Sequence, residues 1–363
     1  MKKITVIFGT RPEAIKLCPL IKELKSRKDL HISVCVSGQH KELLQDVLDA
    51  FEIVPDYDLA LMQKDQSLSS LTSKCVSAVS QVLLTERPNV VLVHGDTTTA
   101  FCSALSAFYL GIDVGHVEAG LRTYNIKSPF PEEFNRCAIS LLAKYHFAPT
   151  DRAKANLIAE GCDERRVFVT GNTAIDALRF TVRKDYSHPL LNSFADCKII
   201  LVTLHRRENL GEPMINVFKA LRRIAQDCED VCIIYPAHPS PRVRSLARKE
   251  LCECERILIT EPLGVLDFHN FLARCYLTLT DSGGIQEEAP HLGKPVLVAR
   301  NTTERQEALD SGTACLIGCD EEDVYRSVKL FLDDPFLYAK TSQAQNPFGD
   351  GFASSRIADI LER

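Results

Sequence analysis

Short apolar runs alternate along this chain with longer segments in which apolar residues recur every three or four positions. The first run covers residues 3–8, and the segment after it carries Pro12 and then an apolar stripe that includes Ile15, Leu20 and Leu24. An unbroken apolar run is typical of a strand buried in a parallel sheet, and the wider spacing is that of an amphipathic helix. The pattern predicts strand–helix units and hence an α/β fold.

The same alternation fills both halves of the chain. Strands are predicted at 3–8, 31–36, 90–93, 113–117, 145–148 and 167–170, and then at 198–203, 231–235, 257–259, 276–280 and 295–299. A chain of 363 residues is longer than a domain with a single hydrophobic core usually is, so two domains are expected. We predict two Rossmann-like, doubly wound domains at residues 1–170 and 171–349, with a helix over 350–363 packing back on the first.

Composition argues against several classes of protein. The formal net charge of −5 and the lack of long Lys/Arg runs disfavour a nucleic-acid partner. No apolar run approaches the length of a transmembrane helix, so no membrane partner is expected. The first run reaches Gly9 too early for a signal peptide, which favours the reducing cytoplasm. Most of the 14 cysteines are therefore expected to be small apolar core residues. They lack the paired Cys-x-x-Cys of a zinc site, and no metal is expected.

Residues 277–289 are the most informative stretch. A β-favouring run ends in the turn DSGG at residues 281–284, and a helix-compatible run follows. Glycines allow close backbone approach, Ser282 can cap the helix, and the first N–H groups with the helix dipole form a phosphate site. Glu288 follows within two turns, where its carboxylate can accept hydrogen bonds from a ribose. For this stretch alone, an ordinary crossover with a capped helix is an equally good interpretation.

Carboxylates follow other predicted strands. Asp96 and Glu118 each come directly after a strand, where open α/β sheets present their ligands, and Glu132 starts a helix further on. Carboxylates held together tend to have the raised pKa values that general acid–base chemistry needs. The alternative for Asp96, equally good from position alone, is that it caps the next helix.

Cations accompany these acids. Arg11 and Lys16 follow the first strand, and Arg136 lies four residues after Glu132 on one helical face. The simpler interpretation is that Arg11 and Lys16 are solvated and that Glu132 and Arg136 form a modest surface pair. The other interpretation is a cleft in which three carboxylates lie beside three cations.

The second half adds two further candidates. His205 stands at the end of the strand predicted at 198–203, and Arg305 follows the last strong strand. A position at the carboxyl end of a strand favours ligand contact, whereas an ordinary loop histidine has no such role.

Taken together, these motifs resemble the bacterial UDP-N-acetylglucosamine 2-epimerases of the non-hydrolysing type. The resemblance covers almost the whole chain and rests on several motifs in order: FGTRPE at 8–13, HGDTTT at 94–99, EAGLRT at 118–123, SPFPEE at 128–133, NR at 135–136, HRREN at 205–209, DSGG with QEE at 281–288, and TER at 303–305. It implies two Rossmann-like domains that face a cleft, as in the B-type glycosyltransferases.

The resemblance also implies roles for the candidate residues. The nucleotide diphosphate site is expected at Arg11, His205, Ser282, Gly283, Glu288 and Arg305. The sugar end, where the chemistry occurs, is expected at Lys16, Asp96, Glu118, Glu132 and Arg136, with His205 counted among the catalytic groups as well. No cofactor is expected, and the partners are a UDP-sugar, a second copy in a homodimer, and in some relatives a second UDP-N-acetylglucosamine that activates the enzyme.

The implied reaction inverts C2 of UDP-N-acetylglucosamine to give UDP-N-acetylmannosamine. The C2 hydrogen has no adjacent carbonyl, so we expect anti-elimination of UDP through a 2-acetamidoglucal, followed by re-addition. The product supplies sugars for surface polysaccharide. Two departures from the family are Gln306, where proline is common, and Glu42, in the region that contacts the activating molecule.

Other functions remain open at this point. A UDP-sugar glycosyltransferase would share the fold but also needs an acceptor site. Such a site commonly has an apolar or membrane-facing patch, and the first half of the sequence shows none. A hydrolysing epimerase would release N-acetylmannosamine and UDP, and a nucleotide-sugar sensor would not need three carboxylates. A dinucleotide oxidoreductase is disfavoured, because no Gly-x-Gly-x-x-Gly follows any strand.

Overall fold

The computed structural model describes residues 1–38, 41–62, 66–251 and 254–363, without the side chains of residues 41–43 and 207. The chain divides into two compact units. The first consists of Met1–Phe180 and Phe348–Arg363, and the second of Thr181–Pro347.

Seven parallel strands form the sheet of the first unit. They are β1 (Lys2–Phe8), β2 (Leu30–Val36), β3 (Tyr57–Asp58), β4 (Val90–His94), β5 (Asp113–Val117), β6 (Tyr145–Ala148) and β7 (Val167–Val169). Their order across the sheet is β3-β2-β1-β4-β5-β6-β7. All four residues of the run 90–93 are fully buried, which explains why polar and apolar residues do not alternate along the central strand β4.

Helices cover this sheet on both faces. They are α1 (Arg11–Ser26), α2 (Lys41–Ala50), α3 (Leu68–Glu86), α4 (Thr98–Tyr109), α5 (Glu132–Leu142), α6 (Asp151–Ala159) and α7 (Thr173–Thr181). The α7 residue Phe180 packs against Phe51, with ring centroids 5.9 Å apart, and Lys22 lies over its ring at 5.6 Å. These contacts explain why the first unit extends beyond the predicted boundary at residue 170.

The second unit repeats the design with six parallel strands. They are β8 (Lys198–Thr203), β9 (Val231–Pro236), β10 (Ile257–Thr260), β11 (Leu277–Thr280), β12 (Val296–Val298) and β13 (Ala314–Leu316), in the order β10-β9-β8-β11-β12-β13. The helices are α8 (Pro189–Asn192), α9 (Glu212–Asp227), α10 (Pro241–Leu251), α11 (Val265–Arg274), α12 (Gly283–His291), α13 (Gln306–Asp310), α14 (Glu321–Asp333) and α15 (Pro335–Ser342).

The last helix, α16 (Ala353–Glu362), belongs to the first unit and packs on α1. Asp176 of α7 holds its N-terminus, because its carboxylate accepts hydrogen bonds from the backbone N–H of Ala353 at 3.2 Å and of Ser354 at 2.7 Å. Burial raises the pKa of Asp176, although these hydrogen bonds act in the opposite direction.

Both sheets have the strand order of a doubly wound fold, and each has one topological switch point. In the first unit it lies between β1 and β4, and in the second between β8 and β11. At a switch point the connections leave the sheet in opposite directions, which opens a crevice beyond the carboxyl ends of the two strands. The fold therefore marks two edges at which ligand-binding residues are expected.

No helix within the described ranges is both long enough and apolar enough to cross a membrane.

A glycine near the first of these edges offers a test of the packing. Gly120 has a φ of +91° and Gly161 a φ of +90°, so alanine is equally strained at both. A Cβ at Gly120 would lie 2.2 Å from the carbonyl oxygen of Ala153, whereas a Cβ at Gly161 would meet nothing within 4 Å. We expect Gly161→Ala to cost roughly 1 kcal/mol and Gly120→Ala about 1–3 kcal/mol more, as measured by chemical denaturation. Equal losses would contradict the close approach.

Candidate functional site

A buried carboxylate joins the two turns at the switch point of the first unit. Glu13 of α1 accepts hydrogen bonds from the backbone N–H of Gly9 at 3.0 Å and of Thr10 at 2.8 Å, and its other oxygen accepts from the hydroxyl of Thr97 at 2.7 Å. Burial raises the pKa of Glu13, against the effect of these hydrogen bonds. No role was predicted for Glu13 from the sequence. The Thr10-x-x-Glu13 spacing of a capping box could have indicated that its side chain binds backbone N–H groups at the start of α1.

Glu118 lies at the end of β5 in a strained backbone conformation. Its φ is +62°, which is uncommon for a residue with a Cβ and costs on the order of 1–3 kcal/mol. One of its carboxylate oxygens, Oε2, receives the Lys16 ammonium and the side-chain amide of Asn172, the latter at 2.9 Å. His94 Nε2 lies 3.6 Å from the same oxygen. The strained backbone thus directs the carboxylate at a cation and an amide donor.

Asp96 follows β4, next to Glu118 in the sheet edge, and pairs with Arg136 of α5. Its backbone oxygen accepts a hydrogen bond from the amide of Asn135 at 2.8 Å. The alternative that Asp96 caps the following helix is wrong, because the cap of α4 is Thr97, whose hydroxyl accepts from the backbone N–H of Ala100 at 3.0 Å. Asp96 is therefore held by side chains from α5.

Arg136 does not make the surface pair with Glu132 that the simpler interpretation allowed. Its guanidinium pairs with Asp96 and lies 3.3 Å from Glu133 Oε2. Glu133 is buried, and its Oε1 accepts from the backbone N–H of Thr123 and Tyr124, both at 2.9 Å. Glu132 begins α5 one turn before Arg136 and is half-buried.

The carboxyl edge of the first sheet therefore carries most of the predicted sugar-end residues. Lys16 and Glu118 meet there, as do Asp96 and Arg136. Arg11 belongs to the same edge by position, since it begins α1 directly after the turn that follows β1.

A second buried carboxylate has the corresponding place in the second unit. Asp281 follows β11 and accepts hydrogen bonds from the backbone N–H of His205 and of Arg206, both at 2.9 Å, and from the Asn209 amide at 3.1 Å. Burial would raise the pKa of Asp281, but the hydrogen bonds and charge of His205 and the two N–H groups outweigh it and hold that pKa below its usual range. This carboxylate fixes the turn after β8.

The helix that follows Asp281 begins without a side-chain cap. Ser282 is the N-cap residue of α12, but its hydroxyl bonds to none of the first N–H groups, contrary to the capping role expected from sequence. Those N–H groups and the helix dipole form an anion site. A Cβ at Gly283 would lie 3.0 Å from Glu304 Oε1 and 3.4 Å from Arg305 Cζ, so only glycine fits here without a shift.

Arginines surround Glu304 beside this helix terminus. Its carboxylate lies 3.0 Å from Arg206, 2.8 Å from Arg300 and 3.3 Å from Arg305. Burial would raise the pKa of Glu304, but the three guanidinium groups lower it to about 2. Arg305 also donates through Nε to Glu287 at 2.8 Å. The arginines are thus held in fixed directions, which suits the binding of a phosphate group.

His205 and Glu288 complete the predicted set. His205 Nδ1 lies 3.2 Å from Asp281 Oδ1, the side chain is 41% exposed, and the ring stacks on His238 with centroids 5.6 Å apart. Burial and the neighbouring His205 lower the pKa of His238. Glu288 is buried in α12, with one oxygen 3.5 Å from His269 Nε2. Contact between Glu288 and a ribose stays a prediction.

No cluster of three or more possible metal ligands occurs in residues 1–38, 41–62, 66–251 and 254–363.

Comparison with known proteins identifies the family. Residues 22–362 match the family model described as UDP-N-acetylglucosamine 2-epimerase. The UDP-N-acetylglucosamine 2-epimerase of Bacillus subtilis (strain 168) is 54% identical over 363 residues, which cover 99% of this chain and 96% of that protein. The chain belongs to the UDP-N-acetylglucosamine 2-epimerase family. The resemblance drawn from the motifs is confirmed.

Solved structures agree with this family and its fold. The crystal structure of UDP-GlcNAc 2-epimerase from Neisseria meningitidis bound to UDP-GlcNAc is 43% identical, with a TM-score of 0.91, and the match covers 99% of each chain. A glycotransferase of kitacinnamycin is 14% identical with a TM-score of 0.69, covering 100% of this chain and 98% of that one, a likeness of fold alone. The predicted Rossmann-like, B-type glycosyltransferase fold is confirmed.

One departure from the epimerase family can be placed in the structure. Gln306 is the first residue of α13, where proline is also favoured because the N–H of that position makes no intrahelical bond. Its side-chain amide donates to the backbone oxygen of Thr303 at 2.8 Å, which stabilises the same turn. The other departure, Glu42, lies in α2, and the prediction made for it concerns its side chain, which is outside the part of the chain that the structure describes.

The buried carboxylate of the second unit leads to a test by pH. A group whose pKa is lower in the folded than in the unfolded state stabilises the fold when the pH is above its unfolded pKa. This stabilisation is lost as the pH falls through the folded pKa. We therefore expect Asp281→Asn to reduce the free energy of unfolding by about 1–3 kcal/mol at pH 7, with the same difference at pH 5. Below about pH 3.9, the unfolded value, the difference should shrink. Urea unfolding at several pH values measures it, and a difference that grows on acidification would contradict this account.

Proposed function

We propose that this protein interconverts UDP-N-acetylglucosamine and UDP-N-acetylmannosamine by inverting C2 of the sugar. Family membership supports this, as does the Neisseria meningitidis relative whose structure is described as bound to UDP-GlcNAc. The observation that carries the proposal is that the two units present different charged groups. The first unit presents carboxylates paired with cations, and the second presents a helix terminus surrounded by arginines.

In this proposal the second unit binds the diphosphate. The N–H groups at the start of α12 and the dipole of that helix favour an anion, Arg305 adds positive charge, and the His205 ring offers a hydrogen-bond donor. The same groups stabilise negative charge on UDP as it leaves C1. Glu288, one to two turns into the helix, binds the ribose hydroxyls.

The first unit supplies the proton chemistry. The C1–O bond to UDP breaks with its electron pair going to the diphosphate, while a carboxylate removes the C2 proton, which gives 2-acetamidoglucal. A second carboxylate then delivers a proton to the opposite face of C2 as UDP adds back to C1. Asp96, Glu118 and Glu132 are the carboxylates proposed for these steps, and Lys16 and Arg136 balance their charge.

The resemblance also supports the remaining parts of the proposal. These are a homodimer, a cytoplasmic location, and a product that supplies sugars for surface polysaccharide. The described cysteines are all free thiols, as is usual in a reducing compartment. Light scattering of the purified protein tests the dimer.

Incubation with UDP-N-acetylglucosamine, followed by separation of nucleotide sugars, free sugar and UDP, tests the reaction. We expect a mixture of the two UDP-sugars with little free UDP. Stoichiometric release of N-acetylmannosamine and UDP would instead identify a hydrolysing epimerase. Unchanged substrate would favour a transferase that lacks its acceptor, or a sensor.

Variants test the division between the two units. Ser282→Leu and Glu288→Ala should weaken UDP binding at least tenfold in calorimetry, because they obstruct the anion site and remove the proposed ribose contact. Asp96→Asn, Glu118→Gln and Glu132→Gln should leave UDP affinity within about threefold and lower kcat by at least a hundredfold. Glu255→Ala, an exposed change in the second unit, is the control. Unchanged UDP affinity in both Ser282 and Glu288 variants would contradict the assignment.

Solvent exchange tests the elimination route. In heavy water, with a chelator present and no nicotinamide added, we expect UDP-N-acetylmannosamine to carry one deuterium at C2. The reason is that the new C2 hydrogen comes from the second carboxylate, whose acidic proton has exchanged with the heavy water, while the original C2 proton stays on the first carboxylate. Mass spectrometry measures the label, and traces of free 2-acetamidoglucal and UDP should accompany it. Epimerised product that keeps its original C2 hydrogen would exclude elimination.

A further inference from the structure

Asn172 connects the proposed catalytic carboxylate Glu118 to the backbone near the boundary of the first unit. It is 3% exposed and precedes α7. Its side-chain Oδ1 accepts from the backbone N–H of Ala174 at 2.9 Å, and its Nδ2 donates to Glu118 Oε2 at 2.9 Å. Its own backbone N–H donates to the carbonyl oxygen of Phe348 at 2.7 Å. The side chain is therefore fixed at both ends.

The orientation of the Asn172 amide follows from these contacts. The two ends of an asparagine amide are distinguished by their hydrogen-bond partners. Because the N–H of Ala174 requires an acceptor, the oxygen must face Ala174 and the NH₂ group must face Glu118. An NH₂ group donates, so Asn172 favours the ionised form of the Glu118 carboxylate over the protonated form.

Lys16 and Asn172 act on the same oxygen of Glu118 in different ways. The Lys16 ammonium supplies charge from the end of a flexible stem and imposes little direction. Asn172 is short and planar, and its backbone is held by Phe348, so its Nδ2 has a defined position. A strained backbone such as that of Glu118, with φ +62°, persists only where surrounding contacts hold it, and the hydrogen bond from Asn172 is one of these contacts.

We propose that Asn172 is a positioning residue, which holds Glu118 ionised and directed for proton transfer. The proposal rests on the role of Glu118 in the proposed function. Through the backbone contact of Asn172 with Phe348, it also links Glu118 to the residue at which the chain re-enters the first unit.

Asn172→Asp is the sharpest test, since it keeps the shape and the acceptor for Ala174 but replaces the donor by a second carboxylate. Two carboxylates at this distance cannot both stay ionised, so the apparent pKa of the pair rises. We expect kcat to fall roughly 10- to 100-fold, with KM within about threefold. The acidic limb of the kcat/KM profile should move to higher pH by at least about one unit, because the ionised form of Glu118 is lost sooner on acidification.

Asn89→Asp is the matched control. Asn89 also uses its side-chain oxygen to accept a backbone N–H, that of Lys3 at 2.8 Å, so the same substitution keeps that bond. Its kcat and pH profile should stay within about twofold of the starting protein. A profile for Asn172→Asp that overlies that of Asn89→Asp would overturn the proposal.

A double variant tests the contact without substrate. In Glu118→Gln/Asn172→Asp the new Gln amide can donate to the new Asp carboxylate, which reverses the original hydrogen bond. We expect Asn172→Asp to lower the thermal unfolding midpoint, and the double variant to lie well above the value expected if the two single effects added. A folded double variant beside an unfolded Asn172→Asp would support the same conclusion, whereas strict additivity would overturn it. If the stability coupling appears but the starting protein does not epimerise its substrate, the proposed function fails and the contact stands.

Discussion

The burial of one carboxylate at each switch point is the interaction on which the rest of this structure depends. In each doubly wound sheet, turns follow the two central strands at the switch point. Glu13 ties them together in the first unit, and Asp281 does so in the second. A buried carboxylate is costly unless it is fully hydrogen-bonded, and each of these accepts at least three hydrogen bonds.

The pKa values of these two carboxylates are shifted in opposite directions. Burial dominates for Glu13, whose pKa is raised, whereas the neighbouring His205 and two backbone N–H groups lower the pKa of Asp281. The lowered pKa of Asp281 favours its ionised form, which accepts the hydrogen bonds that fix the turn of His205 next to the N-terminus of α12. The charged groups at this edge of the second unit are thus held in place by the protein itself, which would reduce the reorganisation that binding under the proposed function requires.

The first unit is arranged for a different task. Two of its half-buried acids, Asp96 and Glu118, are each paired with a cation, and both pairs are supported by buried polar side chains. Glu133 lies against Arg136, which pairs with Asp96, and Asn172 lies against Glu118. Supported carboxylates of this kind keep a defined direction, as the proton transfer under the proposed function requires.

Local pattern in the sequence was sufficient for much of this architecture. The strands and helices follow from apolar spacing, because burial on one or both faces constrains neighbouring residues directly. The motifs after the strands located Asp96, Glu118 and the turn at 281–284, and they identified the family. The two-residue strand β3 and the three-residue strand β13 were missed, since so few residues do not establish a period.

Two kinds of contact were decided only by the tertiary structure: which residues cap the helices, and which distant side chains meet. The sequence did not show that Thr97 rather than Asp96 caps α4, that the hydroxyl of Ser282 caps nothing, or that the first unit reaches Phe180. Glu13 and Thr97 are 84 residues apart, and Glu118 and Asn172 are 54 apart. Such pairs leave no periodic trace in a single sequence, because a hydrogen bond between two side chains depends on where the folded backbone brings them and not on the residues beside them.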